Sequence, residues 1–221
     1  MAYNVGDITS AVQDDLQDPS FSSTRILRYL NYGQLAIFNT HKFKFCEKAV
    51  SGALTIGQYL YAQQTDHQAT IEGVVYDPAS TGTRFRLTKN TFVPYREFFD
   101  RYPVPSVNTA GIPSAWTEFG DQIYFDRPVD KAYTFVQRYY RTPAELTQSS
   151  DVPTVPYSFR ELLELYAEFR SEKYRGNHDI AATYEQQFED GLESMLLRFS
   201  NVSVGPAKAG KATMRVGNSR A

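Results

Sequence analysis

A thiol and an imidazole five residues apart, Cys46 and His41, are the nearest approach in this sequence to a nucleophile and its base. Such a pair can attack a carbonyl when backbone amides are arranged to hold the developing oxyanion. No oxyanion motif accompanies them, and Cys46 sits in an apolar stretch that reads as a strand, where a thiol stays protonated. His67 and His178 fall in separate segments, and His41 lies near the end of an expected helix, where partial positive charge is favoured.

Metal chemistry lacks its spacings as well. There is no second cysteine, no His-Glu-x-x-His and no calcium loop. Asp14 and Asp15 are adjacent, so on a helix they point about 100° apart. Glu161, Glu164, Glu168 and Glu172 follow helical spacing and read as a solvated face, with Arg170, Lys173 and Arg175 nearby. The tail glycines do not match a phosphate loop. No catalytic residue, metal or cofactor is expected, and assembly becomes the leading class of function.

Composition points the same way. Aromatic residues make up 14% of the chain, as 16 Tyr and 15 Phe with one Trp. Tyr has an apolar ring and a polar tip, so it suits surfaces that are wet at one stage and buried at another. The tail 201–221 holds four basic residues and no acid, leaving 19 basic against 25 acidic residues before it. A nucleic-acid-binding body would carry the opposite sign. The single cysteine forbids an intramolecular disulfide and suits a reducing compartment. The N-terminal residues show no secretory pattern, and no apolar run approaches the ~20 residues of a membrane span.

The elements are expected as helices, then a strand-rich middle, then helices. A helix over 7–17, capped by Asp7, would bury Ile8, Val12 and Leu16; a second over 24–40, capped by Ser22 or Ser23, would bury Ile26, Leu27, Leu30, Ile37 and Phe38. Strand-like stretches follow at Phe43 and Phe45, then at 49–56, 58–63, 70–76 and 84–87, with turns at Asp77-Pro78 and Thr81-Gly82. A short helix over 93–101 precedes a proline-rich loop over 103–113. Trp116–Phe119 and Gln122–Asp126, joined by Gly120-Asp121, read as a tight hairpin that includes Tyr124. Tyr133–Tyr140 is a further strand.

The last two helices are the clearest. Ser158 and Glu161 are spaced as a capping box, with Leu162, Leu163, Tyr166 and Phe169 on one face. Gly176-Asn177 ends that helix. The next, over 178–199, carries a stripe of Ile180, Tyr184, Phe188, Leu192, Met195 or Leu196, and Phe199. So short a connection makes the two antiparallel neighbours. The fold class is therefore α+β: an antiparallel helical body from 1–42 and 157–200, a β-rich insertion over 43–156, and an extended basic tail over 201–221. Body packing is assigned to Ile26, Leu30, Leu162, Tyr166, Phe169, Tyr184, Phe188 and Leu192. The tail is sparse in charge for a nucleic-acid arm, and it reads as a docking arm. Lys208, Lys211, Met214, Arg215, Val216 and Arg220 are its candidate contacts, with 213–216 able to add a strand to a partner sheet.

Four segments in this order resemble the bacteriophage head-to-tail adaptor, or head-tail connector, family. They are Asp7-Ile8 through Asp18-Pro19 to Leu30-Asn31-Tyr32-Gly33-Gln34; Ile112-Pro113-Ser114-Ala115-Trp116 with Gly120-Asp121-Gln122-Ile123-Tyr124-Phe125; Tyr139-Tyr140-Arg141-Thr142-Pro143 with Leu146-Thr147 and Ser150-Asp151; and Pro156-Tyr157-Ser158 to Glu168. They cover the chain to about residue 200.

The resemblance implies a virion protein, assembled in the host cytoplasm, that forms a twelve-membered homo-oligomeric ring under the portal protein. It implies a helical ring-forming body, a strand-rich insertion facing a tail component (nozzle, gatekeeper or tail terminator), and a C-terminal segment reaching the portal. Double-stranded DNA would pass through the lumen without sequence-specific binding, which suits a net negative body. A tail-completion or gatekeeper protein is the nearest alternative, but those are mostly β. A DNA-binding accessory protein would need a basic helix face, and 157–199 holds 5 basic against 9 acidic residues. Nothing in the sequence recommends an uncharacterised enzyme.

Overall fold

The computed structural model describes residues 3–78 and 92–199. It is a mixed α+β fold, with five α-helices and two three-stranded antiparallel sheets among the described residues. The expected strand over 84–87, the Thr81-Gly82 turn and the tail candidates Lys208, Lys211, Met214, Arg215, Val216 and Arg220 lie outside the described residues.

Helices α1 (Val5–Asp15) and α2 (Ser23–Thr40) bury Ile8, Val12, Ile26, Leu30, Ile37 and Phe38 as their periodicity predicts. The cap of α1 is displaced from its expected position. Asn4 accepts from the Asp7 amide while Asp7 reaches back to the Asn4 amide, so Asp7 is the third residue of a capping box and not its cap. Ser22 precedes α2 without a side-chain capping bond.

The chain then turns through a short 3₁₀ segment, Lys44–Cys46, and not a strand. Phe43 and Cys46 are thereby sealed into the helical core, and Phe45 stacks on Phe43 at 5.1 Å. Strands β1 (Glu47–Ala53), β2 (Leu60–Ala62) and β3 (His67–Tyr76) follow, then α3 (Tyr95–Arg101), the hairpin β4 (Trp116–Phe119) and β5 (Gln122–Phe125), and β6 (Thr134–Arg141). The first sheet has the order β1-β6-β3 and the second β2-β5-β4. In the hairpin turn Gly120 takes φ +58°, which glycine adopts without a steric penalty. The two sheets share a core of Leu54, Val75, Trp116, Ile123, Phe125, Val129, Tyr133 and Phe135.

Helix α4 (Glu161–Arg175) ends at Gly176 with φ +86°, and α5 (His178–Phe199) packs back along it. The Ser158 capping box does not form. Residues Tyr157–Phe159 make a 3₁₀ turn that runs into α4, so helical backbone is already present before Glu161 and no extended cap residue is available. On α5 the buried residues are Ala181, Phe188, Leu192 and Met195, whereas Ile180 is half exposed. The inward face at the helix start thus passes through Ala181. Residues of α1, α2, α4 and α5 share one apolar core.

Candidate functional site

The sequence motifs of the first two helices hold a connector and carry no chemistry. Asn31 donates through Nδ2 to the Leu146 carbonyl at 2.9 Å and accepts from the Leu146 amide at 2.8 Å. One turn on, Gln34 is buried; its Oε1 accepts from the Thr154 amide at 2.9 Å and its Nε2 donates to the Ala144 carbonyl. The Val5 and Gly6 amides donate to the Asp151 and Ser149 carbonyls. Asp151 in turn accepts from the Thr147 and Gln148 amides. The polar segment from 144 to 154, most of it exposed, is thus fastened to the helices at Ala144, Leu146, Ser149, Asp151 and Thr154. Between Asn31 and Gln34, Gly33 lets α2 approach α4. A Cβ there would meet Tyr166 at 3.1 Å and Leu163 at 3.3 Å.

In the sheet region the corresponding centre is Asp126, fully buried at the end of β5. It accepts from the Ser114 amide and hydroxyl, the Ala115 amide and Arg127 Nε, at 2.7 to 3.2 Å. The Ser114-Ala115-Trp116 segment is held against β5 in this way. In the sequence Asp126 is legible only as the end of a strand; its partners Ser114 and Ala115 lie 12 and 11 residues away and carry no local signal.

A second polar cluster joins the two sheets. Glu118 on β4 accepts from Gln63 at 3.0 Å, from Gln137 at 2.9 Å and from Thr70. His67 Nε2 lies 2.8 Å from Thr70 Oγ1 and 3.8 Å from Glu118. Burial lowers the pKa of His67, against the pull of Glu118 and Asp66. Beside it, Asp66 accepts from Lys48 and Tyr139, each at 2.7 Å. His67, Thr70, Trp116 and Glu118 line a cavity of about 350 Å³. The same Glu118 oxygen accepts from Gln63, Thr70 and Gln137, and the cluster reads as a fastening between β3, β4 and β6.

The thiol–imidazole pair is not assembled for nucleophilic chemistry. Cys46 is buried in the 3₁₀ turn, not in an apolar strand, and burial pushes its thiol up to about 12. His41 stands at the end of α2 with its ring on Phe43 at 5.3 Å. Among the described residues no group of three His, Cys, Asp or Glu side chains could hold a metal ion. No described helix is long and apolar enough to cross a membrane.

The glutamate row of α4 is solvated only at its start: Glu161 is exposed and Glu164 half-buried. Glu168 and Glu172 are buried, because α4 is packed by α1 and α2 on one side and by α5 on the other. Burial, a hydrogen bond with Asp15 and the nearby Glu164 and Glu161 push the Glu168 carboxyl up to about 8. Glu172 pairs with Arg175 at 2.7 Å, and Glu164 accepts from the Tyr3 hydroxyl.

Of the residues assigned to body packing, Ile26, Leu30, Leu162, Phe169, Phe188 and Leu192 are buried, and Tyr166 and Tyr184 are half-buried. In the hairpin Trp116 is buried and Tyr124 half-buried. What remains on the surface is a set of large apolar side chains. On the helices these include Tyr32, Leu35, Tyr157, Tyr174, Ile180 and Leu197; in the sheet region they include Ile56, Val104, Val107 and Phe119. Arg160 stacks between Tyr3 and Tyr157, 4.4 and 4.7 Å from the ring centres. Exposed Tyr, Arg and aliphatic side chains are the common currency of protein–protein interfaces.

No curated protein matches the chain. A family model described as SU10 adaptor protein matches residues 3–213. The chain belongs to this family, a phage head-to-tail adaptor family.

Proposed function

We propose that this protein is a structural subunit of the head-to-tail junction, assembling as a twelve-membered ring beneath the portal so that DNA passes through its lumen. The observation that carries this reading is the family match over residues 3–213, which takes in both helical ends and the strand-rich middle. Three features support the division of labour. The helices of the two chain ends share one core, as a ring-forming body over 1–42 and 157–200 requires. The sheets have a separate core, which suits an insertion over 43–156 directed at a tail component such as a nozzle, gatekeeper or tail terminator. The acidic balance of 157–199 keeps a passing polyanion from being trapped.

The basic segment over 201–221 is the arm that reaches the portal, and the ring forms on the portal and not in free solution. Mixing the full chain with the portal protein of the same phage, and imaging by negative stain, tests both points. Rings are expected on portal and monomers without it. Truncation after residue 200 should leave a folded subunit that no longer joins portal. Unchanged binding of the truncated chain removes the arm from the account, and failure of the full chain to bind portal overturns the reading.

A further inference from the structure

Helix α2 carries Arg25 and Arg28 and no acid, whereas α5 carries Asp179, Glu185, Glu189, Asp190 and Glu193 against a single Arg198. These unlike helices present unlike surfaces. The Gly33 side of α2 faces Leu163 and Tyr166 of α4. Arg28, Tyr32 and Leu35 lie on the opposite side, spaced four and three residues apart, and all are exposed, with Tyr32 at 43% and Leu35 at 42%. They form a ridge about 10 Å long, apolar in the middle and basic at one end.

The α5 side offers the complement. Leu162 and Leu165 of α4 belong to the face turned from α2, and with Gly191 and Ser194 of α5 they line a groove of about 420 Å³. Glu161 and Asp190 stand at its rim. Gly191 lets α5 close onto α4 at the groove: a Cβ there would fall 2.4 Å from Leu162 Cδ2. The groove is thus lined by Phe159, Leu162 and Leu165 together with the exposed acids Glu161 and Asp190, and the ridge has an apolar crest and a basic end. Both occur on one chain, on faces separated by α4, so a subunit cannot fill its own groove with its own ridge.

We infer that a second copy of this chain seats the Arg28–Tyr32–Leu35 ridge in the groove between α4 and α5, with Arg28 meeting Asp190 or Glu161. A contact between two different faces is heterologous, and repeating it generates a ring or an open helix of subunits. The inference rests on the ring-subunit reading and names the surfaces that reading leaves open. Opposite charges at the rim set register and exclude the reversed pairing, and the Tyr and Leu side chains carry the affinity.

The test uses full-length protein with portal, read by native mass. Arg28→Glu and Asp190→Lys alter exposed side chains only, and circular dichroism checks that each variant stays folded. Each should lower the assembled fraction about tenfold, and the double variant should recover most of it. Leu35→Cys with Ser194→Cys should give a disulfide-linked ladder on oxidation; Cys46, being buried, contributes no background. Neither single cysteine should give more than traces of dimer. Normal rings from both charge variants, no recovery in the double variant, or efficient dimers from Leu35→Cys alone would overturn the inference while leaving the ring reading intact. Failure of the wild-type chain to assemble with portal would remove the ring reading, and this contact with it.

Discussion

The helical region and the sheet region solve the same problem with opposite chemistry. Each contains a buried carboxylate. In the sheets, Asp126 is fully buried and surrounded by donors from Ser114, Ala115 and Arg127. In the helices, Glu168 is 3% exposed and has carboxylates for neighbours. A carboxylate among donors fastens a loop; one among acids holds a proton. The sheet region is thus held by a polar clamp at its edge, and the helical region by apolar packing that tolerates an uncharged acid.

Removing the clamp should have the largest effect. Asp126→Ala leaves several donors without a partner and should cost ~3 kcal/mol. The sole tryptophan, Trp116, lies in the sheet core, so its fluorescence reports that region while far-UV circular dichroism reports the helices. If the regions are independent in stability, urea unfolding of this variant will show an early fluorescence transition and an unmoved helical one. Coincident transitions would make them one cooperative unit and blunt the contrast.

Overpacking tests the apolar side of the sheets. A Cβ at Gly73 would sit 2.9 Å from both Phe135 and Trp116. Gly73→Ala should cost ~2 kcal/mol, with the shift again concentrated in the fluorescence signal. On the helical side, Asn31→Ala breaks both hydrogen bonds to Leu146 and should cost about 1.5 kcal/mol. Faster proteolysis within 144–154 should accompany it, because that connector is pinned by Asn31.

The effect that depends on pH is the most diagnostic of the buried acid. The folded chain holds the Glu168 proton up to about 8, from an ordinary value of 4.5. Between those values the folded state binds more protons than the unfolded one. Stability from this group is therefore full below the lower value and declines as pH rises through the upper one. Glu168→Gln should flatten that decline, gaining on the parent at pH 9 relative to pH 5 by on the order of a few kcal/mol. Thermal melts at the two pH values measure it, and an equal shift at both would show that Glu168 does not hold the proton.

Periodicity alone determined much of this protein. The buried faces of α1 and α2, the end of α4 at Gly176 and the hairpin at Gly120 follow from residue spacing, because helix and strand repeats and left-handed turns are local properties. Four local segments in order were also enough to point to the adaptor family. Tertiary structure decided what spacing could not. The glutamates of α4 read as solvated until helices packed on both of its sides buried Glu168 and Glu172. Ser158 looked like a cap until the preceding 3₁₀ turn used its backbone as helix. Asn31, Gln34 and Asp126 gave no sign of their partners, which lie 115, 110 to 120, and 11 to 12 residues away. Hydrogen bonds across such separations depend on how elements meet, and that is a property of the packed chain.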